Sequence, residues 1–209
     1  MNLENSRDFT ERLDSATSGR LVFSAGAGGV SLHADPALPD LCRAHFVGQI
    51  PSVRSRQGLV TIQYRRLSFF DWPFAWREPA AEVVLNGSLP WEIEFRDGVS
   101  QLTADLSHLL LRALDLSSAS QVLVTLPPPT DTVYVHVSGS VSNFSLRRPA
   151  GVAIRLHIGG SASNLTLDEQ RFGAVAGGLR WQTSSFNNAT DRYDLTISGS
   201  VSDLTLASR

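Results

Sequence analysis

The sequence predicts an all-β chain whose main architecture is a β-solenoid with coils of about 20–22 residues. Three observations point there. A short phrase recurs, the recurrence has a nearly constant step, and each copy is flanked by runs that alternate apolar and polar residues. Alternation with a period of two places one set of side chains on one face of a strand. A coil made of two short strands and a bend cannot bury that face alone, but stacked coils can share one core.

The recurring phrase is clearest in residues 138–146 (SGSVSNFSL), 159–167 (GGSASNLTL) and 198–206 (SGSVSDLTL). Looser copies run over 117–124 and 97–104, and the weakest over 26–32. The pivotal serines are Ser100, Ser120, Ser142, Ser163 and Ser202, at steps of 20, 22, 21 and 39. The last step is close to two units, so a degenerate coil is expected between, with residues 177–181 (GGLRW) as its remnant. Before the bends come Trp91, Ile93 and Phe95; Val133, Val135 and Val137; Ile154, Leu156 and Ile158; Leu195 and Ile197. After the bends come Leu102 and Ala104; Phe144 and Leu146; Leu165 and Leu167; Leu204 and Leu206. Stacking makes Asn143, Asn164 and Asp203, with Gln101 and Gln121, one column whose side chains can bond along the axis. Gly at the bends is expected to supply positive φ, and Ser to fit tight corners. An antiparallel β-sandwich is the second reading. It explains the alternation but not the repeated bend.

The elements follow in chain order. Residues 1–19 are polar and read as a tail or a short helix. Residues 20–209 read as one domain, irregular over 20–89 and regular over 90–209. In the irregular half, 21–24 and 30–33 are expected to pair around 25–29, and 58–64 and 81–85 to form further strands. Residues 36–40 and 127–129 carry the prolines of loops. Residues 104–116 have good helix propensity, yet they lie between two copies 20 residues apart. A helix there would use the chain the coil needs, so Leu114 and Leu116 are placed inward on a strand.

Composition narrows the chemistry. The chain has 209 residues, is 42% hydrophobic and carries a formal net charge of −2. All 18 basic residues are Arg. Without Lys there is no Walker-type phosphate loop and no Schiff base. The weak net charge argues against nucleic acid as a partner. The single Cys42 excludes an internal disulfide and an all-Cys metal site. No catalytic residue, cofactor or metal ligand set is assigned. His136 and His157 fall in an outward column with Glu94, Asp115 and Thr196, and that column reads first as a solvated polar face. No Gly-x-Ser-x-Gly elbow occurs. Asn86, Asn143, Asn164 and Asn188 begin Asn-x-Ser/Thr triplets, none read as glycosylated because no secretory signal precedes them. With no apolar window long enough to span a bilayer, the expectation is a cytoplasmic chain, or a surface-associated one if a targeting segment is missing.

The aromatic cluster Phe69, Phe70, Trp72, Phe74 and Trp76 follows Arg65 and Arg66. It holds five of the chain's 17 aromatic residues. Two readings stand: a lid over an open part of the core, or an interaction loop for a partner. Docking on a membrane surface through Phe70, Trp72 and Trp76 is a weaker third.

Residues 139–152 (GSVSNFSLRRPAGV), 170–181 (QRFGAVAGGLRW) and 191–200 (DRYDLTISGS) look like bacterial adhesin-type domains of the DUF4097 or "toastrack" kind. The similarity is clearest over 90–209. It implies a single-stranded right-handed parallel β-helix without enzymatic activity, and it brings no functional residues with it. The expected function is therefore a structural or interaction module, with an unidentified protein partner or a second copy of itself. The alternative is a β-helix that binds or cleaves carbohydrate with Glu92, Glu94 and Asp115.

Overall fold

Alternating runs of this kind form strands throughout, and they sort into two sheets. The computed structural model describes residues 6–24, 26–65 and 80–209; the aromatic cluster at 69–76 lies outside them. The strands are β1 (Ser6–Arg12), β2 (Gly19–Ser24), β3 (Ala27–Asp35), β4 (Asp40–Val47), β5 (Ser52–Arg56), β6 (Leu59–Gln63) and β7 (Ala80–Asn86). Next come β8 (Pro90–Phe95), β9 (Val99–Asp105), β10 (Leu110–Leu116), β11 (Ala119–Thr125), β12 (Thr132–Val137) and β13 (Val141–Arg148). The last are β14 (Ala153–Ile158), β15 (Ala162–Leu167), β16 (Gln170–Phe172), β17 (Leu179–Gln182), β18 (Arg192–Ile197) and β19 (Val201–Ser208).

The fold is two open, mixed sheets. The first runs β1-β4-β7-β3-β9-β11-β13-β19-β15-β16, and the second β17-β14-β18-β12-β10-β8-β2-β6-β5. From β7 to β15 every pairing in the first sheet is parallel. The same holds from β14 to β6 in the second. An antiparallel sandwich would not pair this way. Antiparallel strands cover the ends: β4 and β1 beyond β7, β16 beyond β15, β17 beyond β14, and β5 beyond β6. A parallel strand left at an edge offers a free row of backbone groups, and the chain folds back to pair with it.

Each unit crosses from the second sheet to the first: β2 to β3, β6 to β7, β8 to β9, and so on to β18 and β19. The units stand in the same order in both sheets, but that order is not the chain order. The last unit, β18 with β19, lies between β12–β13 and β14–β15. The first, β2 with β3, lies between β6–β7 and β8–β9. The terminal units are thus paired on both sides rather than left as fraying edges.

Several sequence expectations change here. Residues 177–181 are not a degenerate coil. Leu179–Gln182 runs antiparallel to β14 and covers it, and Gly177 and Gly178, both at positive φ, turn the chain back. The 39-residue step is the detour through β16 and β17. Residues 6–12 form β1 rather than a tail or helix, because β4 offers an antiparallel edge to pair with. Residues 21–24 and 30–33 belong to different sheets and do not pair with each other. Residues 110–116 are a strand, with Leu114 and Leu116 buried.

The core lies between the inner faces. Leu21, Ile93, Leu114, Val135, Leu156 and Leu195 from the second sheet meet Leu32, Leu102, Val122, Phe144, Leu165 and Leu204 from the first. All are buried to within a few per cent. Each such side chain contributes about 1.5–3 kcal/mol, more than any exposed ion pair on this surface. Phe23 and Phe95 stack at 4.8 Å between centroids on neighbouring strands.

The recurring Gly and Asn have separate causes. Gly139, Gly199 and Gly160 sit one above the next at the bend, where Gly199 N–H donates to Gly139 O and Gly160 N–H to Gly199 O, both at 3.1 Å. A Cβ on Gly199 would lie 2.3 Å from Gly139 O, and one on Gly160 2.7 Å from Gly199 O. None of the three has positive φ; that conformation falls on Asn143, Asn164 and Asp203, at +49°, +54° and +56°. Asn and Asp tolerate the left-handed region better than other residues with a Cβ.

Candidate interaction surfaces

The serine and Asn/Asp positions lie on adjacent strands of the first sheet. Ser142 and Ser163 both stand opposite Ser202, and Gln101 stands opposite Gln121. Ser120 Oγ donates to Ser100 O at 2.7 Å, and Ser142 Oγ to Ser120 O at 3.3 Å. Asn164 Nδ2 donates to Asp203 Oδ1 at 3.0 Å. These bonds tie one unit to the next. Asn86 is 2% exposed; its Nδ2 donates to Leu38 O and Asp40 O, and its Oδ1 accepts from Ser88 N–H. It is a structural amide, closed to modification in the folded chain.

The outer face of the second sheet carries a charged row. Glu94 stands opposite Asp115, Asp115 opposite His136, and His136 opposite Thr196. His157 lies on the far side of Thr196, so the two histidines are not neighbours. The sequence placed them adjacent because it assumed that coils stack in chain order. Arg20 reaches Glu94 at 2.8 Å and Glu92 at 3.6 Å, and Arg96 Nε reaches Glu94 at 2.8 Å. The Arg96 hydrogen bond, helped by Arg20, holds the Glu94 carboxyl below its ordinary range. Asp115 is pushed the other way, first by desolvation and then by Glu94 and Glu92, against the opposing charges of His136 and Arg20. Beside this row Tyr134 is 58% exposed, and Arg155 pairs with Asp194. The Arg155 and Arg192 guanidinium carbons sit 4.7 and 4.9 Å from the centroid of the Phe186 ring. On this face Arg20 and Arg96 engage Glu92 and Glu94, and Arg155 engages Asp194.

The outer face of the first sheet is not flat. Between β4, β7, β3 and β9 lies an open groove of about 410 Å³. Gly29 and Ala80, paired on neighbouring strands, form its floor; Val47 and Gln101 continue the same row on either side. The adjacent row is His45, Glu82, Ser31 and Thr103. His45 Nδ1 is 2.6 Å from Asp8 Oδ1 on β1, and Ser31 Oγ is 2.9 Å from His33 Nε2. Nothing in the residue pattern points to this site. It depends on strands far apart in the chain becoming neighbours, and on two small residues being placed side by side.

Cys42 is fully buried, and burial pushes its thiol up to about 12, so it is no nucleophile at neutral pH. Among the described residues, no three His, Cys, Asp or Glu side chains gather to hold a metal ion. No described helix is long and apolar enough to cross a membrane.

No family model matches this chain, and no curated protein does. Among solved structures it is similar to a "putative cell adhesion protein" from Clostridium sporogenes, with a TM-score of 0.71 and 13% identity over 99% of this chain and 100% of that one. At that identity the likeness shows the fold alone. A "putative adhesin" from Bacteroides fragilis aligns at a TM-score of 0.34 and 6% identity over 99% of this chain and 98% of that one, too weak to support an argument.

Proposed function

We propose that this chain is a non-enzymatic adhesion or interaction module: a two-walled β-solenoid that presents its outer faces to a protein or surface partner, or to a second copy of itself. In this reading the seven units are coils of a single-stranded right-handed parallel helix of the DUF4097 or toastrack kind. Residues 20–209 are then one domain, to which β1 adds an edge strand. The serine column and Asn143, Asn164 and Asp203 hold coil to coil. Phe69, Phe70, Trp72, Phe74 and Trp76 are the interaction loop.

The observation that carries the reading is the likeness in fold, over essentially the whole of both chains, to the "putative cell adhesion protein" from Clostridium sporogenes. The identical order of units in the two sheets supports the solenoid. The arginine-engaged carboxylates of the second sheet support a surface that binds rather than cleaves.

The test is direct. Fluorescently labelled protein is expected to bind whole bacterial cells saturably. A Phe70→Ser/Trp72→Ser variant is expected to stay folded and lose that binding. An absence of saturable binding overturns the proposal. So does polysaccharide turnover that Glu94→Gln abolishes.

A further inference from the structure

We infer that the groove between β4, β7, β3 and β9 is a binding site for a short neutral sugar, a mono- or disaccharide. The inference rests on the adhesion reading and gives that module a ligand.

Shape comes first. The groove spans four strands, three steps of about 4.8 Å, or about 14 Å in all, roughly the length of a disaccharide. Its 410 Å³ falls within the range of small-molecule sites. The depression exists because Gly29 has no side chain and Ala80 only a methyl, while Val47 and Gln101 rise on either side.

Chemistry chooses the ligand. A pyranose has a flat C–H face and a rim of hydroxyls that both donate and accept. Ala80 and Gly29 offer a smooth apolar floor, and Val47 flanks it with an apolar side chain. The row beside it offers an imidazole, a carboxylate and two hydroxyls, from His45, Glu82, Ser31 and Thr103, with the Gln101 amide at the corner. Among the described residues no arginine lines the groove, and Glu82 supplies the one carboxylate, so a phosphate or another anion meets a like charge there. Asp8 holds the His45 ring through Nδ1, and His33 holds the Ser31 hydroxyl. Groups already fixed lose less freedom when a ligand arrives.

The probes are lactose, maltose, cellobiose and N,N′-diacetylchitobiose, titrated against the full chain by saturation-transfer NMR, with glucose 6-phosphate as the anionic control. At least one neutral disaccharide is expected to bind saturably, and the phosphate not to bind. Ala80→Trp fills the groove from an exposed position and is expected to weaken binding about tenfold or more with an unchanged unfolding midpoint. Thr103→Tyr intrudes from the opposite wall, so loss of binding through either folded variant supports the site. Glu82→Gln is expected to weaken binding while keeping the fold. No saturable binding by any of the four sugars overturns the inference, as does binding that both folded variants leave intact. Cell binding that persists without sugar binding overturns the groove and spares the adhesion module. Loss of both overturns both.

Discussion

Arg148 and Asp168 meet in a bidentate pair, Nη1 to Oδ1 at 2.8 Å and Nη2 to Oδ2 at 2.7 Å, although Arg148 is only 3% exposed. Arg148 ends β13 and Asp168 follows β15, the two strands that flank β19. Arg148 Nε also donates to Val152 O at 2.9 Å, and Asp168 N–H to Leu206 O at 2.8 Å. The pair therefore fastens together the strands on either side of the inserted last unit. Asp168→Asn leaves a buried guanidinium without its counter-charge. Such a loss costs about 3–5 kcal/mol when fully buried. The Asp168 side chain is 26% exposed, so about 2–3 kcal/mol is expected here. Urea denaturation checks this. A change below about 0.5 kcal/mol, typical of an exposed pair, would refute it.

Asn143 holds φ at +49° in the middle of β13. A β-branched side chain there carries the steric penalty of the left-handed region, so Asn143→Val is expected to cost about 1–2 kcal/mol. Asn143→Gly is expected to stay within about 0.5 kcal/mol, since relieved strain offsets the added freedom of the unfolded chain. Thermal unfolding of the two variants separates backbone strain from loss of the amide. Equal losses in both would assign the residue's role to its side chain.

These positions show how much the residues themselves disclose. Alternation located the inward Leu, Val and Ile positions, because period two is a local property of a strand. The repeats made Ser142, Ser163 and Ser202 equivalent, but they did not fix which units touch. That order depends on the antiparallel strands β16 and β17 covering β15 and β14, and it moved Thr196 between His136 and His157. The groove was invisible for the same reason, since Val47, Ala80, Gly29 and Gln101 form a row only through pairings between distant segments. Chemistry was less legible than fold because the polar side is built of Ser, Thr and Asn, whose main partners here are the backbone and one another.

The bend glycines predict a steric ladder. Gly199→Ala drives a Cβ to 2.3 Å from Gly139 O, against backbone that is already hydrogen-bonded. One unit must move away from the next, and a loss of about 1–3 kcal/mol is expected, as for an overpacked core. Gly173→Ala is the control. Its Cβ meets nothing within 4 Å and its φ is not positive, so stability is expected to hold or rise slightly. Denaturant midpoints measured side by side decide it, and equal effects would mean that the bend tolerates a wider spacing than the backbone bonds allow.

The row on the second sheet predicts opposite pH behaviour at two neighbouring carboxylates. Asp115 has its pKa raised in the folded chain, chiefly by desolvation, so the folded state takes up this proton more readily than the unfolded one. Its contribution to stability is complete below the unfolded Asp value of about 3.9 and is lost as pH rises through the folded value. At neutral pH its charge is a cost, and Asp115→Asn is expected to raise the unfolding midpoint there, with the advantage fading as pH falls toward 4. Glu94 has its pKa lowered, first by the Arg96 hydrogen bond. Its contribution is present above the unfolded Glu value of about 4.3 and is lost as pH falls through the folded one. Glu94→Gln is therefore expected to lower the midpoint at neutral pH and to converge on the parent in acid. Thermal scans of the parent and both variants from about pH 3 to 8 test the pair together, because burial and arginine pairing act with opposite sign on carboxylates one strand apart. A lowered midpoint in both variants at neutral pH would show that favourable charge pairing governs the whole row, and a raised midpoint in both that burial does.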